Sequence, residues 1–139
     1  MELMNVLLSI RPEHVEEILS RRKKYEFRKR RPRLHSTDQK AYIYTTSPIC
    51  KIVGSFKIRR IQQNHPKVLW RKFGRKSGID ARRFAEYFGT REVGFALEIS
   101  SLRTFNPPIE PKQVFHDFVA PQSFRYMPRS WEDSMPRSR

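Results

Sequence analysis

The chain has 139 residues, with 29 Lys and Arg against 14 Asp and Glu, a formal net charge of +15 and a pI near 10.6. One ordinary domain has this length and buries a core without disulfide or metal staples. Its 37% hydrophobic and 12% aromatic residues exclude a disordered chain. The charge predicts attraction to polyanions, nucleic acid ahead of an anionic membrane.

No stretch approaches the roughly 18 apolar residues of a membrane span. The opening MELMNVLLSIRPEH has too short an apolar run for a signal peptide and carries Glu2 in place of a basic start. The lone Cys50 has no intrachain disulfide partner, which predicts a buried structural thiol and a reducing, cytoplasmic compartment. His14, His35, His65 and His116 lack metal-ligand spacing, and GRKSG (74–78) lacks the spacing of a phosphate loop. Neither metal nor cofactor is expected, and a monomer is.

In chain order, MNVLLSI (4–10) reads as a strand. Residues 12–21 read as a short amphipathic helix, with Pro12 in the first turn and Val15, Ile18 and Leu19 on one face. Residues 23–30 alternate: Tyr25 and Phe27 point one way, Lys24, Glu26, Arg28 and Arg30 the other. A polar loop spans 31–40, followed by strands at 41–46 and 50–61, the latter with Gly54 at a bulge or tight bend. Asn64 to Gly78 reads as a helix capped by Asn64, and a second short helix starts near Asp80 and closes at Gly89. A long strand runs from 91 toward Phe105, and NPPIEP is expected to break it. Aromatic-rich residues 114–127 should pack on the body, and residues 128–139 should be a flexible C-terminal tail after a domain spanning 1–127. This order, with more strands than helices and no regular βαβ alternation, predicts an α+β fold: a small curved sheet or barrel capped by helices.

Three groups of residues bear on function. The first is Lys23, Glu26 and Arg28. Alternation puts Glu26 and Arg28 on one strand face, about 7 Å apart, with Lys23 at the strand's start. They form either a polar cleft, with Glu26 accepting a proton or a donor edge and the cations holding phosphate, or an ordinary ion pair on a wet sheet face. The second is the basic set Arg21, Arg22, Lys24, Lys29, Arg30, Arg31 and Arg33. Arg59, Arg60, Lys67, Arg71, Lys72, Arg75, Lys76, Arg82 and Arg83 add to it from separate segments with few acids between. That pattern predicts sequence-independent phosphate binding. The third is Tyr42, Tyr44, Thr46, Ser47 and Lys51. The tyrosines are either core, with hydrogen-bonded hydroxyls, or a stacking surface for bases. Thr46, Ser47 and Lys51 offer donors to a phosphate at the strand end.

Several stretches together resemble the ASCH domains, a branch of the PUA-like small β-barrels that also includes the YTH and EVE modules. They are LLSIRPEHVEEIL (7–19), RRKKYEFRKR (21–30), YIYTTSP (42–48), KIVGSFKI (51–58), SGI (77–79) with FAEYF (84–88), GFALEI (94–99) and APQSFRY (120–126). The resemblance implies a barrel of five to six strands with two to three flanking helices, and a cleft beside the first helix lined by the KKYEFR strand. It implies RNA as the partner. Some small members are ribonucleases, and one branch is an amidohydrolase of N4-acetylcytidine with a Lys-x-x-Thr-x-Arg pattern. Here Lys23 and Arg28 match that pattern and Glu26 replaces the threonine, while residues 60–80 supply no matching glutamate. Gln122 and Ser123, in the PQSF stretch, are implied to reach the cleft. The expectation is therefore an RNA-binding domain that takes a single-stranded or modified nucleotide beside residues 23–30. A ribonuclease or nucleobase amidohydrolase using the same cleft is the alternative, and a DNA-binding regulator a further one.

Overall fold

Six strands form in the computed structural model, which describes residues 4–36 and 38–135. They are β1 (Val6–Ile10), β2 (Tyr25–Arg28), β3 (Lys40–Thr45), β4 (Lys51–Asn64), β5 (Gly94–Ile109) and β6 (Phe124–Tyr126). They make one sheet in the order β2-β5-β4-β3-β1-β6. All pairings are antiparallel except β1 with β3, which run parallel. The chain between those two passes through α1 (Pro12–Leu19) and β2, a single crossover and not a regular βαβ alternation. The fold is α+β, one six-stranded sheet curled into a half-barrel.

Nearly every strand is covered on both faces. Inside the curl, Val6, Leu8, Ile10, Ile43, Phe56 and Leu97 pack beneath Val15 and Ile18 of α1. Ile18 is fully buried, contributing about 1.5–3 kcal/mol of transfer free energy. Outside β1 and β3, Leu7, Tyr42, Tyr44 and Ile52 lie under Phe115, Phe118 and Trp131. Outside β2, Phe27 and Ala96 lie under Leu69 of α2 (Pro66–Phe73) and under Phe84 and Phe88 of α3 (Ala81–Phe88). Tyr25 and Phe27 thus face the core, as their alternation predicts.

Four boundaries differ from the pattern. β4 runs to Asn64, because Ile61 to Asn64 pair with Leu97 to Gly94 of β5 and the ladder outweighs their polarity. His65 therefore caps α2, its Nδ1 accepting from the Lys67 N–H at 3.1 Å. That helix ends at Phe73, followed by a 3-10 turn at Gly74–Lys76. β5 continues through Pro107 and Pro108 to Ile109. Its ladder pairs Gly54 with Thr104 and next Ile52 with Ile109, so both prolines sit in a bulge where no N–H is needed. Gly54 lies at this irregularity, as predicted: a Cβ there would collide with the Arg103 carbonyl.

Two further short helices follow, α4 (Pro111–Val114) and α5 (Arg129–Ser134). The second corrects the expectation of a loose tail from residue 128. Trp131 is buried and stacks on Phe115 at 4.9 Å, because an apolar ring of that size gains more from the outer sheet face than the chain loses in entropy. Residues 136–139, the rest of that expected tail, lie outside the described residues. No described helix is long and apolar enough to cross a membrane.

Candidate functional site

The site is built where β2 meets α1. Helix α1 ends at Leu19, and Arg21 turns the chain with a left-handed backbone (φ 68°), its N–H donating to the Ile18 carbonyl at 2.9 Å. The turn throws Lys23 inward, while Lys24 stays exposed and its N–H bonds the Lys76 carbonyl at 2.6 Å. Strand alternation then sends Glu26 and Arg28 to the inner side, opposite Phe27.

Lys23, Glu26 and Arg28 are 3%, 6% and 7% exposed, so the ion pairs are interior ones rather than contacts on a wet face. Glu26 Oε1 lies 3.3 Å from Lys23 Nζ, and Oε2 lies 3.2 Å from Arg28 Nη1. Lys23 Nζ also donates to the Ser77 carbonyl. Arg28 Nη1 donates to the Ser9 carbonyl at 3.2 Å, and Nη2 donates to the Ser123 carbonyl and Oγ at 2.9 and 2.7 Å. β2 and β6 are the two edges of the sheet, and Ser123 immediately precedes β6. Arg28 therefore clasps the open seam of the half-barrel from one edge to the other.

Burial by itself pushes the Glu26 carboxyl up, yet Lys23 and Arg28, with His14, hold it below the ordinary carboxylate value. The three ionised side chains sum to a net charge of +1 in a largely dry setting. His14, half-buried on α1, is held below the usual imidazole value by burial, which outweighs the pull of Glu26. Among charged groups, Glu26 and Lys23 act on it most strongly, in opposite directions.

The remaining predicted residues fall into three places. Arg21, Arg22, Lys24, Arg30, Arg31 and Arg33 are exposed around the rim. Arg22 is tied to Glu17 by two bonds of 3.1 Å, Arg30 lies 6.0 Å from the Phe124 ring centre, and the Arg33 N–H donates to the Tyr126 hydroxyl at 2.8 Å. Thr46, Ser47 and Lys51 surround the β3–β4 turn; the Thr46 N–H bonds the Ile10 carbonyl at 3.0 Å, one residue beyond Ser9. Arg71 is exposed on α2, and Gln122 is exposed while its neighbour Ser123 meets Arg28.

Tyr44 needs correction as a stacking surface. It is 6% exposed, with its ring 5.5 Å from Phe118, and burial followed by the Cys50 thiol beside it raises its hydroxyl to about 12. The sheet is covered on its outer face too, so Tyr42 and Tyr44 leave no open face for a base. Cys50 itself is only half-buried.

Pattern reading missed Ser9, Ser77 and His14. The two serines contribute backbone carbonyls, which leave no mark in a sequence. His14 sits four residues before buried Ile18, a spacing that puts it on the inward flank of α1. Among the described residues no group of His, Cys, Asp and Glu is arranged to hold a metal ion.

The ASCH domain family model matches residues 8–109. Over 127 residues the chain is 28% identical to an ASCH domain-containing ribonuclease of Zymomonas mobilis, covering 87% of this chain and 82% of that one. The crystal structure of ASCH from Zymomonas mobilis superposes with a TM-score of 0.87 at 25% identity, covering 94% of this chain and 92% of that one. A similarity of 28% over 127 residues also reaches an ATP synthase subunit alpha of Ureaplasma parvum, but involves only 16% of that protein. The family match runs from within β1 to the end of β5, with the Lys23–Glu26–Arg28 strand, and the chain belongs to the ASCH domain family.

Proposed function

We propose that this protein binds RNA and takes one unpaired nucleotide into the cleft between α1 and β2. The observation that carries this reading is the buried Lys23–Glu26–Arg28 set with its net positive charge, ringed by exposed Arg21, Lys24, Arg30, Arg31 and Arg33. The Zymomonas relative, a ribonuclease, supports RNA as the polymer. The rim supplies sequence-independent grip on phosphates, and a single strand needs no unpairing before a base turns inward.

Glu26 has a positioning role in this reading. A general base works best with a pKa near the operating pH, whereas this carboxylate is held low by two cations and has both oxygens engaged. It orients Lys23 and neutralises one of the two buried positive charges. The bonds of Lys23 Nζ to Ser77 and Glu26 also weaken the case for an amidohydrolase that uses this amine freely.

The relative's activity favours a second reading, ribonuclease action in the same cleft. His14, half-buried on α1 and lowered in pKa by that burial, would take the proton of a ribose 2′-hydroxyl as its oxygen attacks phosphorus. The bond from phosphorus to the 5′-oxygen breaks, that oxygen takes a proton from water, and a 2′,3′-cyclic phosphate and a 5′-hydroxyl result. Lys23 would stabilise the charge that builds on the phosphoryl oxygens.

The test incubates the purified protein with labelled single-stranded RNA, with and without EDTA, across a salt series and beside duplex DNA competitor. Intact RNA held with steeply salt-dependent affinity supports the binding reading. Cutting that persists in EDTA and is lost in His14→Gln, with binding retained, replaces it with the ribonuclease. Absence of binding at low salt, or equal competition by duplex DNA, sinks the RNA reading.

A further inference from the structure

Helix α2 and the 3-10 turn after it carry a row of cations that the cleft does not use. Lys67, Arg71 and Arg75 stand at successive four-residue steps, with Lys72 and Lys76 beside them, and all five are exposed. Their helix buries Leu69 and packs Trp70 on Phe84 at 5.0 Å, so its inner side is committed to the core and its outer side is wholly basic. The segment from Lys57 to Ile79 contains no Asp or Glu. Among the described residues, none of the five pairs with a carboxylate, although Lys57, Arg59, Arg60, Arg82 and Arg83 all do. Like charges four residues apart on a helix destabilise it. Here Lys67 and Arg71 stand so on α2, and the turn adds Arg75 and Lys76 with no acidic residue to relieve the repulsion.

The row also leads somewhere. At its end the 3-10 turn hands the chain to Ser77, whose carbonyl accepts from Lys23 Nζ, while the Lys76 carbonyl accepts from the Lys24 N–H at 2.6 Å. Basic side chains thus continue from α2 through Lys76 to Lys24 and the mouth of the cleft. Four helical residues rise about 6 Å, a step that suits successive phosphates of an extended strand.

We propose that this α2 ridge is a phosphate track that holds the single-stranded RNA flanking the nucleotide in the cleft. The inference rests on the RNA reading above and adds the path of the strand outside the cleft. The ridge contributes affinity without base readout.

The experiment compares Arg71→Gln with Arg75→Gln, made together, against the charge-matched pair Arg103→Gln with Lys112→Gln, two exposed cations on β5 and α4. Binding of the full chain to a single-stranded oligonucleotide is measured from low to moderate salt, and circular dichroism checks that each variant is folded. Each phosphate left without its cation lowers the slope of log affinity against log salt by about 0.7 for single strands, so the ridge pair should lower it by about 1.4 and the control pair by little. Equal slope changes in both pairs would reduce the ridge to bulk charge and overturn the track while leaving RNA binding intact. A wild type with no salt-dependent RNA affinity would overturn the RNA reading and the track with it. If the ridge pair loses binding to phosphatidylserine vesicles but keeps its RNA slope, the ridge serves a membrane and the proposal fails.

Discussion

Two groups of cations in this protein have the same chemistry and opposite surroundings. Lys23 and Arg28 are buried, share Glu26 and are bonded to three serine carbonyls. Lys67, Arg71, Lys72, Arg75 and Lys76 stand in water on α2 and the turn after it, with no carboxylate partner among the described residues. The first group is part of what holds the fold together, since a buried charge must be paired. The second holds nothing together and is free to meet a polyanion. A Lys or Arg count alone merges the two.

The largest break in this contrast is Glu26→Ala. It leaves two buried cations without their counter-ion and should cost about 3–5 kcal/mol, read as a lower midpoint in urea. Trp131→Ala should cost about 3 kcal/mol, because its ring fills the outer core against Phe115 and Phe118; a loose tail would lose nothing.

Acid sharpens the comparison next. Glu26 titrates lower in the folded chain than in the unfolded one, so its stabilisation is complete above the ordinary carboxylate value and fades as pH falls through the lower folded one. The stability gap between wild type and Glu26→Gln should therefore narrow in strong acid. His14 is also depressed when folded, so the unfolded chain takes up that proton first and stability falls below about pH 6.5. His14→Gln should remove that earlier decline in a pH series of unfolding midpoints.

The smallest effect belongs to the ridge. Arg71→Gln with Arg75→Gln should change stability by no more than about 0.5 kcal/mol, and in the stabilising direction at low salt, because the i,i+4 repulsion of Lys67 and Arg71 on α2 is relieved. A large loss there would show that the ridge is structural after all.

Much of the site was legible in RRKKYEFRKR itself. Two-residue alternation puts Tyr25 and Phe27 against Glu26 and Arg28, and a strand can bury only one kind of side chain on each face. Lys23 was ambiguous, since its position depends on the left-handed turn at Arg21. Tyr44 shows the opposite limit. Alternation separates Tyr42 and Tyr44 from Ile43, but not which side is covered, and here residues from 105 to 135 cover the outer side as well.

What the sequence determined by itself is local: the periodicity of β2, the buried stripe of α1, the caps at Asp80 and Gly89, and the excess of positive charge. These follow from bonds and spacings between near neighbours along the chain. The tertiary structure alone decided which cations are buried, that Arg28 joins the two sheet edges, that Ser9 and Ser77 lend their carbonyls, and that Trp131 belongs to the core. Each of these depends on groups far apart in sequence and brought together only when the sheet curls. Desolvation, which separates a paired interior charge from a solvated one, is a property of that closed arrangement.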